Sequence, residues 1–251
     1  MVMSGNMLGE LYFPTGKAKE TAQQVLEVDK PMACNVSWNC TNCCRYCFIP
    51  YTKKGEIRLP KHNPRDLVFN QLSNGLKPEG VFLSFATDPF IDINKQKSAE
   101  LIHLLTIAKN IRVATLSKVG LIDADIYKFK VRNGMTIVSD NEEFRKKFEP
   151  NASSINHRIQ SLKIASNVGC YTWVSLEPFP TPKIFEQNIE ELLSKIDFVD
   201  FIIFGKWNYD ARANDKIFYS ESVNKFNKYC SEVGIRHFVK SDTLKFIEVN
   251  K

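Results

Sequence analysis

The sequence predicts an α/β fold in which parallel strands alternate with helices. Short runs rich in β-branched and aromatic residues recur along the chain, and segments with apolar residues three or four positions apart lie between them. The run FVDFIIF, at 198–204, is apolar nearly throughout, as expected of a strand covered on both faces. A third observation is that polar residues follow each predicted strand, which is typical of the active-site edge of such folds.

The strands and helices are predicted in alternating order. Strands are expected at residues 33–38, 80–85, 111–116, 135–138, 171–176 and 198–204, and 235–239 is a candidate seventh strand. Helices are expected at 66–72, 99–108, 155–165 and 184–196. Six such units are too few for the usual eight-stranded closed barrel. The pattern therefore leaves two architectures, an open or partial (β/α) barrel and a doubly wound sheet.

The polar residues at the strand ends are candidates for a functional site. In chain order they are Thr87-Asp88, Ser117-Lys118, Ser139-Asp140, Ser175 with Glu177, and the segment 205–208. Because the carboxyl ends of parallel strands meet at one edge of a sheet, these side chains are expected to gather there. A single polar pair could be explained by the ordinary polarity of loops. Polar residues at the end of every predicted strand favour a functional site.

Composition sets broad limits on the function. The chain has 251 residues, 43% of them hydrophobic, and a formal net charge of +6. No apolar run approaches the roughly 20 residues that cross a bilayer, and the first residues do not resemble a signal peptide. We therefore expect a cytoplasmic protein without a membrane partner. The modest positive charge is compatible with a phosphate-bearing partner and equally with a lysine-rich solvated surface.

The stretch CNVSWNCTNCCRYCF, at 34–48, holds the strongest chemical signal. Four of the seven cysteines fall within it after its first residue: Cys40, Cys43, Cys44 and Cys47. The other three, Cys34, Cys170 and Cys230, are scattered, and an odd number does not suggest a disulfide framework. Clustered thiols in a reducing compartment indicate a metal instead.

Two sets of ligands can be drawn through this loop. All four clustered cysteines would form a zinc site, but two abutting CxxC pairs leave the chain no length to fold back. The alternative set is Cys40, Cys44 and Cys47, with Cys43 as a bystander. Three thiolates on one short loop suit three corners of a [4Fe–4S] cluster and leave one iron open to an outside ligand.

The CxxxCxxC spacing after the first strand resembles the radical SAM superfamily. The resemblance implies a partial (β/α)6 barrel with short terminal extensions, divided into a lead-in (1–32), a barrel core (33–206) and a C-terminal extension (207–251). It also implies that Cys40, Cys44 and Cys47 bind a [4Fe–4S] cluster and that S-adenosylmethionine (SAM) chelates the fourth iron. An external one-electron reductant of the flavodoxin or ferredoxin type would be a partner.

The flanking segments narrow the resemblance to one branch. Pro14, Gly16, Ala18 and Glu20 match the Pro-x-Gly-x-Ala-x-Glu lead-in of the spore photoproduct lyase-like branch. A helix containing Arg158, followed by a Gly turn and a strand ending in a Pro-rich loop, is also similar to that branch. The resemblance extends over residues 12–206.

Carried over by position, the branch implies a set of cofactor contacts. They are Tyr46 for the adenine or the cluster, Thr87 and Asp88 for the methionyl amine, Lys118 for the carboxylate, and Ser139, Ser175 and Glu177 for the ribose. Arg158 and Asn208 are candidate supporting residues. For each residue the alternative is an ordinary loop or surface role.

Two departures from the branch affect the substrate. Ala86 occupies the position of a hydrogen-donating cysteine in spore photoproduct lyase, and Phe48 occupies that of a relay tyrosine. Neither can donate a hydrogen atom, so thymine-dimer repair is not expected. A nucleic acid or nucleotide remains one expected substrate, supported by aromatic residues in FGKWNYD (204–210). A small metabolite, peptide or partner protein is the alternative, and a zinc or electron-transfer module without catalysis is the third.

Overall fold

One eight-stranded sheet organises the fold, and its strands lie in chain order. The computed structural model describes residues 8–48, 56–121 and 131–248. The strands are β1 (Leu11–Tyr12), β2 (Met32–Cys34), β3 (Gly80–Leu83), β4 (Arg112–Ser117), β5 (Val131–Thr136), β6 (Thr172–Phe179), β7 (Phe201–Lys206) and β8 (Arg236–Val239). Strands β2 to β8 pair in parallel, while β1 pairs antiparallel with β2 at the edge. Among the described strands β1 and β8 do not pair, so this sheet is open and the predicted partial barrel is confirmed.

Eight helices accompany the sheet in the described chain. They are α1 (Gly16–Leu26), α2 (Pro64–Ser73), α3 (Asp92–His103), α4 (Glu142–Phe148), α5 (Ile155–Asn167), α6 (Ile189–Ser194), α7 (Lys216–Val233) and α8 (Ser241–Glu248). A π-helical turn, Leu104–Ala108, continues α3. None of the helices that the structure describes is long and apolar enough to span a membrane.

Two predicted boundaries are wrong for identifiable reasons. The helix expected at 184–196 begins only at Ile189, because Asn188 caps it by accepting a hydrogen bond from the Glu190 amide. The strand expected at 135–138 begins at Val131. The prediction misses its first residues because the run Arg132-Asn133-Gly134 is polar and lacks the β-branched and aromatic residues typical of strands. Gly134 is required there, since a Cβ would lie 2.2 Å from Cε2 of Trp173.

The outer face of the sheet forms the larger hydrophobic core. Alternating strand residues such as Val81, Leu83 and Val113 point to this face and are fully buried. They pack beneath helices that connect the strands, namely α2, α3, α5, α6 and α7. This arrangement leaves the opposite, inner face and the carboxyl ends of the strands, here called the mouth, available for other groups.

Helix α1 covers the inner face. Its residues Ala22, Val25 and Leu26 are buried in a second core with inward-facing strand residues, among them Phe82 and Trp173. The beginning of α1 lies near the mouth, where the Lys240 ammonium after β8 donates to the Lys17 carbonyl (3.0 Å). Helix α1 therefore runs from the mouth toward the amino ends of the strands.

Three arginines from three strands cap the other end of α1. They donate to its last carbonyl groups: Arg112 to Leu26 (2.5 Å), Arg132 to Val25, and Arg236 to Gln24 (2.6 Å). The last carbonyls of a helix lack partners within it and carry partial negative charge, so guanidinium groups stabilise them. These contacts close the floor of the partial barrel.

Candidate metal and cofactor site

The cysteine loop follows β2 and is folded by two left-handed residues. The φ angles of Asn39 (70°) and Cys43 (51°) lie in a region that residues other than glycine seldom adopt. Tertiary contacts hold the first of these turns: the Asn39 amide donates to the Ala86 carbonyl (2.8 Å), and the Thr87 hydroxyl donates to the Asn39 carbonyl (2.6 Å). The loop is thereby tied to the segment that follows β3.

Cys40, Cys44 and Cys47 lie in one short loop, where a negative charge on one thiol would affect the pKa of the others. Burial is the main reason that the pKa of Cys44 is raised to about 12 and that of Cys40 is also raised, and neighbouring thiols of the trio raise both further. Thiolates in such surroundings require a compensating positive charge, which a metal centre supplies. Three cysteine thiols in one loop are the type of donor that iron–sulfur clusters use, so the donor set fits such a cluster.

A simple metal-ion site is not present in the described ranges. Within 8–48, 56–121 and 131–248, no three His, Cys, Asp or Glu side chains are arranged to hold a metal ion.

Asp88 connects the cysteine loop to two strands. Its buried carboxylate accepts four hydrogen bonds: from Asn42 Nδ2 (2.9 Å), Ser117 Oγ (2.9 Å), and the amides of Phe90 (3.0 Å) and Lys118 (2.7 Å). A carboxylate offers about four acceptor positions, so those of Asp88 are occupied by the protein itself. Asp88 thus anchors the loop at the ends of β3 and β4.

The Thr87 hydroxyl is also occupied by hydrogen bonds within the protein. Besides donating to Asn39, its hydroxyl accepts hydrogen bonds from Ser37 Oγ (3.0 Å) and Asn94 Nδ2 (2.9 Å). Both residues expected near the methionyl amine are therefore held in networks within the protein.

Tyr46 and Lys118 lie together beside the cysteine trio. The Tyr46 ring packs edge-on against Trp207, with centroids 5.2 Å apart, and Lys118 Nζ lies 5.6 Å from the ring centre. Burial tends to lower the pKa of Lys118, but Cys44 and Glu149 outweigh it and the net shift is upward. Lys118 is therefore a retained cation at the mouth, as an anion-binding role requires.

The remaining predicted contacts lie farther along the mouth. Ser139, after β5, is buried and accepts a hydrogen bond from the Asn141 amide (3.2 Å). Ser175 and Glu177 alternate with Trp173 on β6 and so share its inward face. Burial raises the pKa of the Glu177 carboxyl, although Lys240 Nζ lies 3.8 Å away and opposes that shift.

Two residues of the site carry no signal in the sequence. Asn42 stands between the cysteines, where only the fold reveals its bond to Asp88. Glu149 accepts a hydrogen bond from the Tyr46 hydroxyl across 103 positions of chain. Its surroundings, KKFEP, read as a solvated helix end. Trp207, in the aromatic segment 204–210, is buried and packs edge-on against Tyr46 and Phe148, so its ring is not exposed for stacking on a base.

Comparisons with known proteins give fold relatives only. No family model and no curated protein sequence matches the chain. Spore photoproduct lyase complexed with dinucleoside spore photoproduct superposes with a TM-score of 0.63 at 16% identity, covering 82% of this chain and 74% of that one. SuiB of Streptococcus suis bound to S-adenosylmethionine gives 0.63 at 10% identity, covering 83% of this chain and 50% of SuiB.

A further SuiB structure and a variant lyase structure show what these relatives bind. SuiB bound to precursor peptide SuiA matches at a TM-score of 0.63 and 11% identity, over 83% of this chain and 48% of SuiB. A variant of spore photoproduct lyase with bound AdoMet and dinucleoside matches at 0.61 and 16%, over 83% and 76%. This chain has the partial-barrel fold of the radical SAM enzymes spore photoproduct lyase and SuiB.

Proposed function

We propose that this chain is a radical SAM enzyme in which Cys40, Cys44 and Cys47 hold a [4Fe–4S] cluster. The observation that supports the proposal is the CxxxCxxC spacing of these three thiols in the loop that follows β2, at the mouth of a partial barrel. When bound, the cluster and SAM would supply radical chemistry: with one electron from an external reductant, reductive cleavage of SAM and abstraction of a hydrogen atom from the substrate. The barrel binds and orients the reactants and keeps water away from them.

The protein's own side chains would have distinct tasks around SAM. Lys118, a cation beside the trio, is suited to the methionyl carboxylate. Ser139, Ser175 and Glu177 are proposed for the ribose, and the Tyr46 ring for shielding the cluster. Thr87 and Asp88 remain predicted contacts of the methionyl amine, which would have to replace one of the hydrogen bonds that they already make.

The reaction class is tested by SAM cleavage. After anaerobic reconstitution with iron and sulfide, we expect about four irons per chain and release of 5′-deoxyadenosine when SAM and dithionite are added. Dithionite takes the place of the proposed flavodoxin or ferredoxin. One zinc per chain without sulfide, and no 5′-deoxyadenosine, would support the zinc-module alternative and refute the proposal.

For the substrate we favour a nucleic acid or nucleotide. Spore photoproduct lyase is complexed with a dinucleoside, and the Tyr209 ring, in the loop after β7, is 88% exposed with a left-handed φ of 64°. An exposed aromatic ring beside the mouth is suited to stacking on a base. The SuiB complex with a precursor peptide supports the alternative, a peptide substrate.

Binding of single-stranded oligonucleotides tests this choice. We expect binding that weakens as salt rises, and a roughly 10-fold weaker affinity for Tyr209→Ala, because one base–aromatic stack contributes about 1–3 kcal/mol. Ile217→Ala, also at an exposed side chain, is the control. If oligonucleotides are not retained even at low salt, the peptide alternative is preferred.

A further inference from the structure

A buried ion pair lies beneath the cysteine loop. Glu149 Oε2 and Arg158 Nη2 are 2.5 Å apart, and each side chain is only 1% exposed. The guanidinium also donates from Nε to the Ser153 carbonyl (3.0 Å) and from Nη1 to the Thr136 carbonyl (2.8 Å). A buried ion pair contributes little net stability, because removing both charges from water offsets their attraction. The location of the pair beneath the cysteine loop indicates a role in that loop instead.

The pair reaches the metal-binding loop through Tyr46. The second carboxylate oxygen, Glu149 Oε1, accepts a hydrogen bond from the Tyr46 hydroxyl. Tyr46 stands between Cys44 and Cys47 in the sequence, and its ring is also flanked by Trp207 and Lys118. The hydroxyl bond is thus the polar contact that fixes the orientation of a ring otherwise held by packing.

The backbone makes a second connection. The Arg45 amide donates to the carbonyl of Phe148, the residue immediately before Glu149 (2.8 Å). Asn151 Nδ2 donates to the Thr41 carbonyl (2.8 Å). The end of α4 and the turn after it therefore dock directly on the loop, with the Glu149 charge close to the trio.

We propose that Glu149 is a positioning residue that acts through Tyr46, and that its pairing with Arg158 sets the electrostatic environment in which the cluster accepts an electron. This inference rests on the proposed function, since it requires a cluster on Cys40, Cys44 and Cys47. In this proposal the buried pair of Glu149 and Arg158 tunes the reduction potential of the cluster. Net charge and hydrogen bonding near a cluster are established determinants of that potential.

The sign of the effect follows from charge. Reduction adds a negative charge to the cluster, so a nearby carboxylate opposes it and a nearby guanidinium favours it. Glu149→Gln retains the side-chain shape but leaves Arg158 as an unpaired buried cation. The midpoint potential should therefore shift to more positive values. The double variant Glu149→Gln with Arg158→Met removes both charges, and its potential should return toward that of the parent protein.

The test uses reconstituted protein and a redox titration followed by the EPR signal of the reduced cluster. Tyr46→Phe leaves both charges in place and removes only the hydroxyl, so it should change the EPR line shape with a smaller shift in potential. Glu190→Gln, which removes an exposed carboxylate on the outer helix α6, should change neither. A purely structural role of the pair would alter iron content or stability without this order of potentials.

Each outcome has a defined meaning. An unshifted potential in Glu149→Gln with a full complement of iron overturns the inference. If Glu149→Gln does not retain the cluster, Tyr46→Phe decides, and an unchanged EPR line shape in Tyr46→Phe overturns the inference. Absence of any cluster in the parent protein, measured as iron and sulfide, refutes the proposed function instead. The two failures are therefore distinguishable.

Discussion

Replacing Cys44 with serine is expected to leave the protein with an incomplete cluster. The formation of 5′-deoxyadenosine should fall by more than about 100-fold, because substitutions of residues that only support metal ligands already cause roughly 10–100-fold losses. Cys44 is the most buried thiol of the trio, at 6% exposure. A serine hydroxyl is a poor ligand for iron–sulfur chemistry, which selects soft thiolates. Iron, sulfide and 5′-deoxyadenosine are measured on the same preparation.

The chain provides a matched control one residue away. Cys43→Ser makes the same chemical change in the same loop, at the left-handed turn (φ 51°). We expect Cys43→Ser to retain the cluster and most of the activity. If Cys43→Ser loses iron while Cys44→Ser keeps it, the assignment of Cys40, Cys44 and Cys47 is wrong.

Replacing Asp88 with alanine is expected to lower the free energy of unfolding by about 4 kcal/mol. Four donors would lose their acceptor, and each such loss at a buried position costs about 1–3 kcal/mol. Water that enters the space left by the side chain would recover part of the total cost. Two of its four donors belong to side chains of the loop and of β4, Asn42 and Ser117. The loss should therefore weaken the cysteine loop specifically. Urea unfolding of the protein before reconstitution measures the stability term.

The control for Asp88 is an acid that makes no comparable network. Asp66, in the first turn of α2, has a 63% exposed side chain that pairs with the adjacent Arg65. Asp66→Ala should change stability by less than about 1 kcal/mol. Equal losses in the two variants would contradict the role of Asp88 as the loop anchor, and normal iron uptake by Asp88→Ala would show that the loop does not depend on it.

Much of this architecture is accessible from the sequence because it depends on local patterns. The strands appear in the sequence as short apolar runs, and the cysteine trio proposed as ligands appears as CxxxCxxC spacing. The alternation of strand and helix then places Asp88 and Lys118 at the same edge as the cysteines. These features require no knowledge of long-range contacts.

The supporting groups could not be predicted because they depend on distant pairings. Glu149 is the clearest case. Its local sequence does not distinguish a buried acid that pairs with Arg158 from an acid exposed at the end of a helix. Strand β1 has only two residues, too few to show any periodicity. The lead-in motif with Gly16 and Glu20 was recognisable by resemblance. Nothing in it indicates that α1 crosses the inside of the barrel.

The path of α1 has a consequence for how the chain folds during synthesis. The Gln24 carbonyl meets Arg236 across 212 positions, and the Lys17 carbonyl meets Lys240 across 223. A ribosome makes this helix before the parallel strands, yet the last contact at each of its ends, from Arg236 and Lys240, forms only after β8 has been translated. Contacts of such separation form late and slowly. Until then the docking of α1 is incomplete, and its apolar residues Val25 and Leu26 are more exposed to contact with other apolar surfaces than in the finished fold.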